Sequence, residues 1–177
     1  DKISMGWLNM NNNYDIIIVG AGASGIFTAY ELSVLQSKAK VLIIEKGNSL
    51  EKRKCPIDGV KIKSCVHCKY CNIMNGYGGA GSLSDGKYNI TNNFGGDLYK
   101  YVGKKEALDL MYYVDKVLCD NGGSDARLYS TIESTLKTEA LKHDLHLLDA
   151  QVRHLGTDRN VKILGNMYDY IDRKSVV

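Results

Sequence analysis

Gly20-Ala21-Gly22-Ala23-Ser24-Gly25 is a G-x-G-x-x-G series that follows an apolar, β-branched run at residues 14–19. Glu45 closes a second such run at residues 40–45, twenty residues past Gly25. A strand, glycine turn, helix and strand within about 30 residues is the context in which this series binds a dinucleotide. Gly20 makes the tight turn, Gly22 lets backbone amides approach a pyrophosphate, and Gly25 lets the helix pack close to the strand. The helix N-terminus presents unpaired N–H groups and a partial positive charge to the phosphates. Glu45 can accept from ribose hydroxyls, and its charge disfavours the additional phosphate of NADP. Lys46 is counted with this site. The alternative is a glycine-rich turn without a ligand, and the loop alone does not separate FAD from NAD.

Four of the five cysteines form a second cluster: Cys55, Cys65, Cys68 and Cys71, a C-x9-C-x2-C-x2-C series with His67 inside it. Three readings stay open: a thiolate-bound zinc or iron–sulfur cluster, a redox-active thiol pair, or unligated cysteines. His67 can replace one thiolate in a metal site or be a solvated loop residue. Residues 46–71 carry seven basic and two acidic side chains, which favours thiolates over thiols. A disulfide scaffold is not expected in a chain read as cytoplasmic. Cys119, on the shoulder of a helical stripe, is expected to be a small core residue. A third feature is Gly76, Gly78, Gly79 and Gly81, followed by Ser84-Asp85-Gly86-Lys87. So dense a glycine run suits neither helix nor strand, but it suits a loop in close contact with something.

Elements must place these residues, and the chain is long enough for them. Its 177 residues predict about one domain, and 44% hydrophobic with 24% charged residues is globular composition. A net charge of +3 does not argue for nucleic acid, and no run of about 20 apolar residues predicts a membrane span. Residues 47–96 lack periodicity and are too long for an ordinary loop, so they are functional or held by a ligand. From Lys104 the helical period returns: Ala107, Met111, Val114 and Leu118 form one stripe, stopped by Asn121-Gly122-Gly123. Leu128, Ile132, Leu136 and Ala140 predict a second helix, residues 146–155 a strand, and Val161, Leu164, Tyr168 and Ile171 a third helix. His143 and His146 read as surface residues. The fold expected is α/β: a Rossmann-like dinucleotide-binding βαβ unit with a partial second α+β domain.

The stretch from Asp15 to Ile26, with Val41-Leu-Ile-Ile-Glu45-Lys46, resembles the N-terminal FAD fingerprint of glutathione-reductase-type flavoproteins. Cys71-Asn-Ile-Met-Asn-Gly-Tyr-Gly-Gly-Ala-Gly-Ser-Leu-Ser-Asp-Gly-Lys87, with Arg153-His-Leu-Gly-Thr-Asp158 downstream, is similar to bacterial FAD-dependent dehydrogenases, a family of NAD(P)/FAD-dependent oxidoreductases. The resemblance runs from Tyr14 to Ile171. It implies that the Rossmann-like βαβ unit is FAD-binding, with FAD as cofactor for flavin-mediated hydride or electron transfer and NAD(P)H as a possible donor. It also implies that Gly78, Gly79, Ala80 and Gly81 pass near the flavin, with Ser84, Asp85 and Gly86 beside them and Lys87 offsetting charge on the reduced ring. No catalytic acid or base is assigned, Arg153 and His154 included. The substrate and redox partner are open.

The family is typically more than twice this length, which implies a truncated parent enzyme and an inactive fragment. The organisation expected is a non-native leader at residues 1–9, the start of the FAD domain with its Cys/Gly-rich insertion at 10–96, part of a second segment at 97–171, and a non-native tail at 172–177. The competing readings are a metal or iron–sulfur module built on the four cysteines, and a non-catalytic fragment.

Overall fold

The computed structural model describes residues 13–173. These divide into two compact units, residues 13–80 with 167–173, and Gly81–Asn166. The expected leader and residues 174–177 of the expected tail lie outside the described residues. The break falls at Ala80 and Gly81, earlier than the expected boundary at 96. The reason is that residues 87–90 form a strand that pairs inside the second unit.

In the first unit, β1 (Ile16–Val19), α1 (Ala23–Val34) and β2 (Val41–Ile44) form the expected βαβ arrangement. The strands are parallel, with Ile16 opposite Val41 and Val19 opposite Ile44. Side chains alternate between faces with the period of two that a strand imposes. Val41 and Ile43 are buried on one face, where Ile26, Ala29, Tyr30 and Ser33 of α1 are also buried. Burying Ile26, 1% exposed, contributes about 1.5–3 kcal/mol. On the other face Ile17 and Val19 are 57% and 84% exposed. At the helix end Val34 and Leu35 are exposed, and Gln36 turns left-handed at φ 51° just beyond them. Tyr30 packs on Tyr170 with ring centroids 5.2 Å apart, and Tyr77 meets Tyr168 edge-on at 5.1 Å.

The second unit holds β3 (Lys87–Ile90), α2 (Tyr99–Val102), α3 (Lys104–Leu118), β4 (Leu128–Ser130), α4 (Leu136–Leu141), β5 (Gln151–His154) and most of α5 (Thr157–Asp172). Its sheet is antiparallel, in the order β3-β5-β4. α3 stops where expected, with Gly122 at φ 111°. The helix expected along Leu128, Ile132, Leu136 and Ala140 does not form as one element. Leu128 instead pairs with Arg153 in the sheet. Thr131 Oγ donates to the Leu148 carbonyl at 2.6 Å, and Glu133 is left-handed at φ 58°. A β-branched, hydroxyl-rich segment thus satisfies its backbone in a sheet and turn, leaving only α4 helical.

α5 exists as expected, with its buried face shifted by about one residue. Asn160, Ile163, Met167 and Ile171 are inside, rather than Val161, Leu164 and Tyr168. Asn160 starts that face because its Nδ2 donates to the carbonyls of Gly81 (2.9 Å) and Ser82 (3.0 Å), while its Oδ1 accepts from Tyr88 Oη (2.8 Å). Arg153 has a structural place: it makes a buried bidentate pair with Asp115 (Nη2 to Oδ2, 2.8 Å) and donates to the Ala126 carbonyl. The Asp115 hydrogen bonds hold its pKa above the ordinary guanidinium value against the opposing effect of burial.

Candidate functional site

The glycine loop caps the parallel pair. Gly20 N–H donates to the Ile44 carbonyl at 2.7 Å, and Gly20 itself sits at φ 98°, a conformation that favours glycine. A Cβ on Gly25 would lie 2.0 Å from the Gly20 carbonyl oxygen, so helix and strand meet only if residue 25 has no side chain. Gly22 differs. At φ −79° it caps α1, and a Cβ there would meet nothing within 4 Å. The fold therefore does not require glycine at 22, whereas an unobstructed approach to the helix end does. The first turn of α1 has no acidic residue and no side-chain cap, so its N–H groups suit an anion.

Glu45 is held from three directions. Its Oε2 accepts from Ala21 N–H (2.8 Å), and its Oε1 from Gly47 N–H (2.9 Å) and Gly76 N–H (3.1 Å). Burial opposes ionisation, but these three amides together with Lys46 outweigh it and hold the carboxyl below its ordinary range. The second glycine run meets the first directly, for Gly78 N–H donates to the Ala21 carbonyl at 2.8 Å. A Cβ on Gly79 would come within 3.1 Å of Gly22 Cα, and one on Gly47 within 2.3 Å of Gly76 N. Arg53 secures that run. Buried at 4% exposure, it donates to the carbonyls of Asn72 (2.8 Å), Ile73 (2.6 Å), Tyr77 (2.8 Å) and Gly79 (2.9 Å).

Between the two runs lies a cleft of about 330 Å³ lined by Val19, Gly20, Gly22, Ile44, Glu45, Lys46, Met74, Asn75, Gly76 and Gly79. Five expected residues, Gly20, Gly22, Glu45, Lys46 and Gly79, thus meet at one place. Ala21, Gly25 and Gly78 support it through backbone contacts, while Ala23 and Ser24 stand exposed at the start of α1. Ala80 is the last residue of the first unit.

Gly81, Ser84, Asp85, Gly86 and Lys87 belong to the second unit, where local bonds account for them. Ser84 Oγ donates to the Gly81 carbonyl at 2.7 Å, and Lys87 pairs with Asp85 at 2.7 Å. Gly86 sits at φ 62°, and a Cβ there would come within 3.2 Å of Leu155 Cβ and the Gly156 carbonyl oxygen. A larger cleft of about 730 Å³ also lies in the second unit, lined in part by Thr91, Asn92, Lys104 and Tyr112. It holds none of the dinucleotide signature, so chemistry rather than size selects the glycine cleft.

Arg53, Met74 and Asn75 were not singled out by sequence reasoning. Arg53 is one of five arginines in a lysine-rich chain, a faint signal for a residue that needs a guanidinium's five donors. The cysteine series is not gathered into a ligand set: among the described residues no three His, Cys, Asp or Glu side chains stand together so as to hold a metal. Cys55, Cys65 and Cys68 are exposed free thiols, and Cys71 is half-buried. Cys119 is also half-buried, on the end of α3. Among the described residues no helix is long and apolar enough to cross a membrane.

Residues 18–68 match the family model for the NAD(P)-binding Rossmann-like domain. No curated protein and no solved structure matches the chain. The matched span takes in the end of β1, the glycine loop, α1, β2 and Glu45, which line one side of the cleft, while Met74, Asn75, Gly76 and Gly79 lie beyond it. The chain carries a Rossmann-like dinucleotide-binding domain of the kind typical of FAD/NAD(P)-dependent oxidoreductases.

Proposed function

We propose that the chain is the N-terminal part of an FAD-dependent oxidoreductase whose first unit holds the ADP half of FAD. The observation that carries this reading is the pairing of two glycine runs across one cleft, joined by Gly78 N–H to the Ala21 carbonyl and by Glu45 to Gly76. The pyrophosphate is assigned to the N-terminus of α1 over Gly22, and the adenosine ribose to Glu45. Three of the roughly four acceptor sites of that carboxylate are already filled, which leaves about one for a ribose hydroxyl. Lys46 adds positive charge at the rim, and the backbone of Gly78, Gly79 and Ala80 leads toward the flavin half.

Bound flavin supplies hydride and single-electron transfer, and the chain supplies binding and orientation. The exposed apolar face at Ile17, Val19 and Ile44 supports a further layer packed on that face, because parallel sheets are covered on both faces. We therefore expect weak flavin binding and no turnover from this chain alone. Calorimetric titration with FAD, ADP, NADH and NADPH tests the reading. FAD and ADP are expected to bind, and Gly22→Val to abolish binding while circular dichroism stays unchanged. NADH binding more tightly than FAD would overturn the flavin assignment in favour of a nicotinamide site.

A further inference from the structure

The cleft of about 730 Å³ in the second unit has the volume of a small-molecule site. Lys104, Lys105, Leu108 and Tyr112 of α3 all line it. Residues 104, 108 and 112 follow one another at four-residue spacing, so they share a helix face. Ile90 at the end of β3 and Ile132 beyond β4 add apolar surface from other elements. One wall is therefore apolar and the N-terminal turn of α3 brings two cations to it.

Most polar groups around the cleft are already engaged. Thr91 Oγ1 donates to the Asp149 carbonyl at 2.8 Å, Tyr112 Oη donates to Gln151 Oε1 at 2.6 Å, and the Asp149 carboxylate pairs with Lys137. Asn92 also lines the cleft, and its Nδ2 donates to the Lys104 carbonyl at 2.9 Å, which fixes the orientation of the amide. Its Oδ1 is buried and, among the described residues, has no donor, an uncommon state for a buried acceptor. The two lysines are the other open groups. Lys87, Lys100, Lys116, Lys137 and Lys142 of this unit each pair with a carboxylate, whereas no described carboxylate pairs with Lys104 or Lys105. Glu106 folds back over Gly103 instead, its Oε2 lying 2.5 Å from where a Cβ on Gly103 would stand.

We infer that this cleft binds a small aromatic carboxylate that also carries a hydroxyl or amine. The carboxylate lies against the Lys104 and Lys105 ammonium groups, where its hydrogen bonds are charge-assisted. The ring packs on Leu108, Ile132 and the Tyr112 ring, since a flat ring gains from an aromatic neighbour beyond the area it buries. The hydroxyl or amine supplies the donor that Asn92 Oδ1 lacks. A bare inorganic anion answers the lysines but leaves the apolar wall and Asn92 unused. The assignment concerns the second unit alone and does not depend on which dinucleotide the glycine cleft takes.

The test is titration of the full chain with para-hydroxyphenylacetate, followed residue by residue through amide NMR shifts. Saturable shifts are expected at residues 90–93, 104–112 and 132. The double variant Lys104→Ala/Lys105→Ala should weaken binding by about tenfold or more, and Lys142→Ala should leave it unchanged. Phenylacetate, which lacks the hydroxyl, should bind roughly fivefold more weakly, and the neutral para-hydroxyphenylacetamide should not saturate the site. Unperturbed amides in β3, β4 and β5 would show that the variants are folded. Absence of saturable shifts, shifts centred on residues 20–25, equal binding of the neutral amide, full affinity in the double variant, or inorganic phosphate binding as tightly as the aromatic acid would each overturn the assignment.

Discussion

Replacing Glu45 by glutamine isolates what its negative charge does, because size and shape are nearly kept. In the wild type one oxygen serves Ala21 N–H and the other serves Gly47 and Gly76. A glutamine keeps one acceptor oxygen and turns an NH2 group toward the remaining donor. If its oxygen stays with Gly47 and Gly76, Ala21 N–H is left facing another donor, at about 1–3 kcal/mol. The two surviving bonds lose charge assistance, roughly half their strength. Partial solvent access lowers both contributions, so the expected loss is about 2–3 kcal/mol at about pH 7.

The pH dependence has a definite sign. The folded pKa of Glu45 lies below its unfolded value, so its stabilisation is present above the unfolded pKa and fades as pH falls through the folded one. Urea unfolding followed by circular dichroism should therefore show a gap between wild type and Glu45→Gln that closes on acidification below about pH 4. A gap of constant size from neutral to acid, or no gap at neutral pH, would refute the account of Glu45 as the ionised clamp between the two glycine runs.

Gly25→Ala places a Cβ 2.0 Å from a carbonyl oxygen and should destabilise the first unit by about 3 kcal/mol or more. Gly22→Ala enters open space and should leave ligand-free stability within about 1 kcal/mol while weakening FAD and ADP binding; thermal melts and titrations distinguish the two. Arg53→Lys should expose residues 72–79 to amide exchange, since one ammonium cannot replace a fork that reaches four carbonyls; unchanged exchange would contradict the bracing role. Asp115→Ala leaves the buried Arg153 guanidinium without its carboxylate and should cost about 3–5 kcal/mol in urea unfolding.

Period and punctuation made the βαβ unit legible in the sequence. β-branched runs, a G-x-G-x-x-G turn and a terminal glutamate are local signals, and local backbone preference dictates the conformation they produce. The start and stop of α3 were legible for the same reason, since Asn121-Gly122-Gly123 punctuates the chain without help from elsewhere. Reading by period failed where a local pattern competed with distant partners. Leu128 opens the apolar helical spacing that runs through Ile132, Leu136 and Ala140, yet residues 128–130 join β5, because sheet hydrogen bonds link residues far apart in sequence. The inner face of α5 begins with a polar residue, Asn160, whose place inside comes from carbonyls at Gly81 and Ser82. Likewise nothing local marks Arg53 as the brace of the second glycine run, or Glu45 as the acceptor for three amides. Those roles exist only after the loops meet, because hydrogen-bond geometry depends on through-space proximity while sequence spacing reports only the path of the chain.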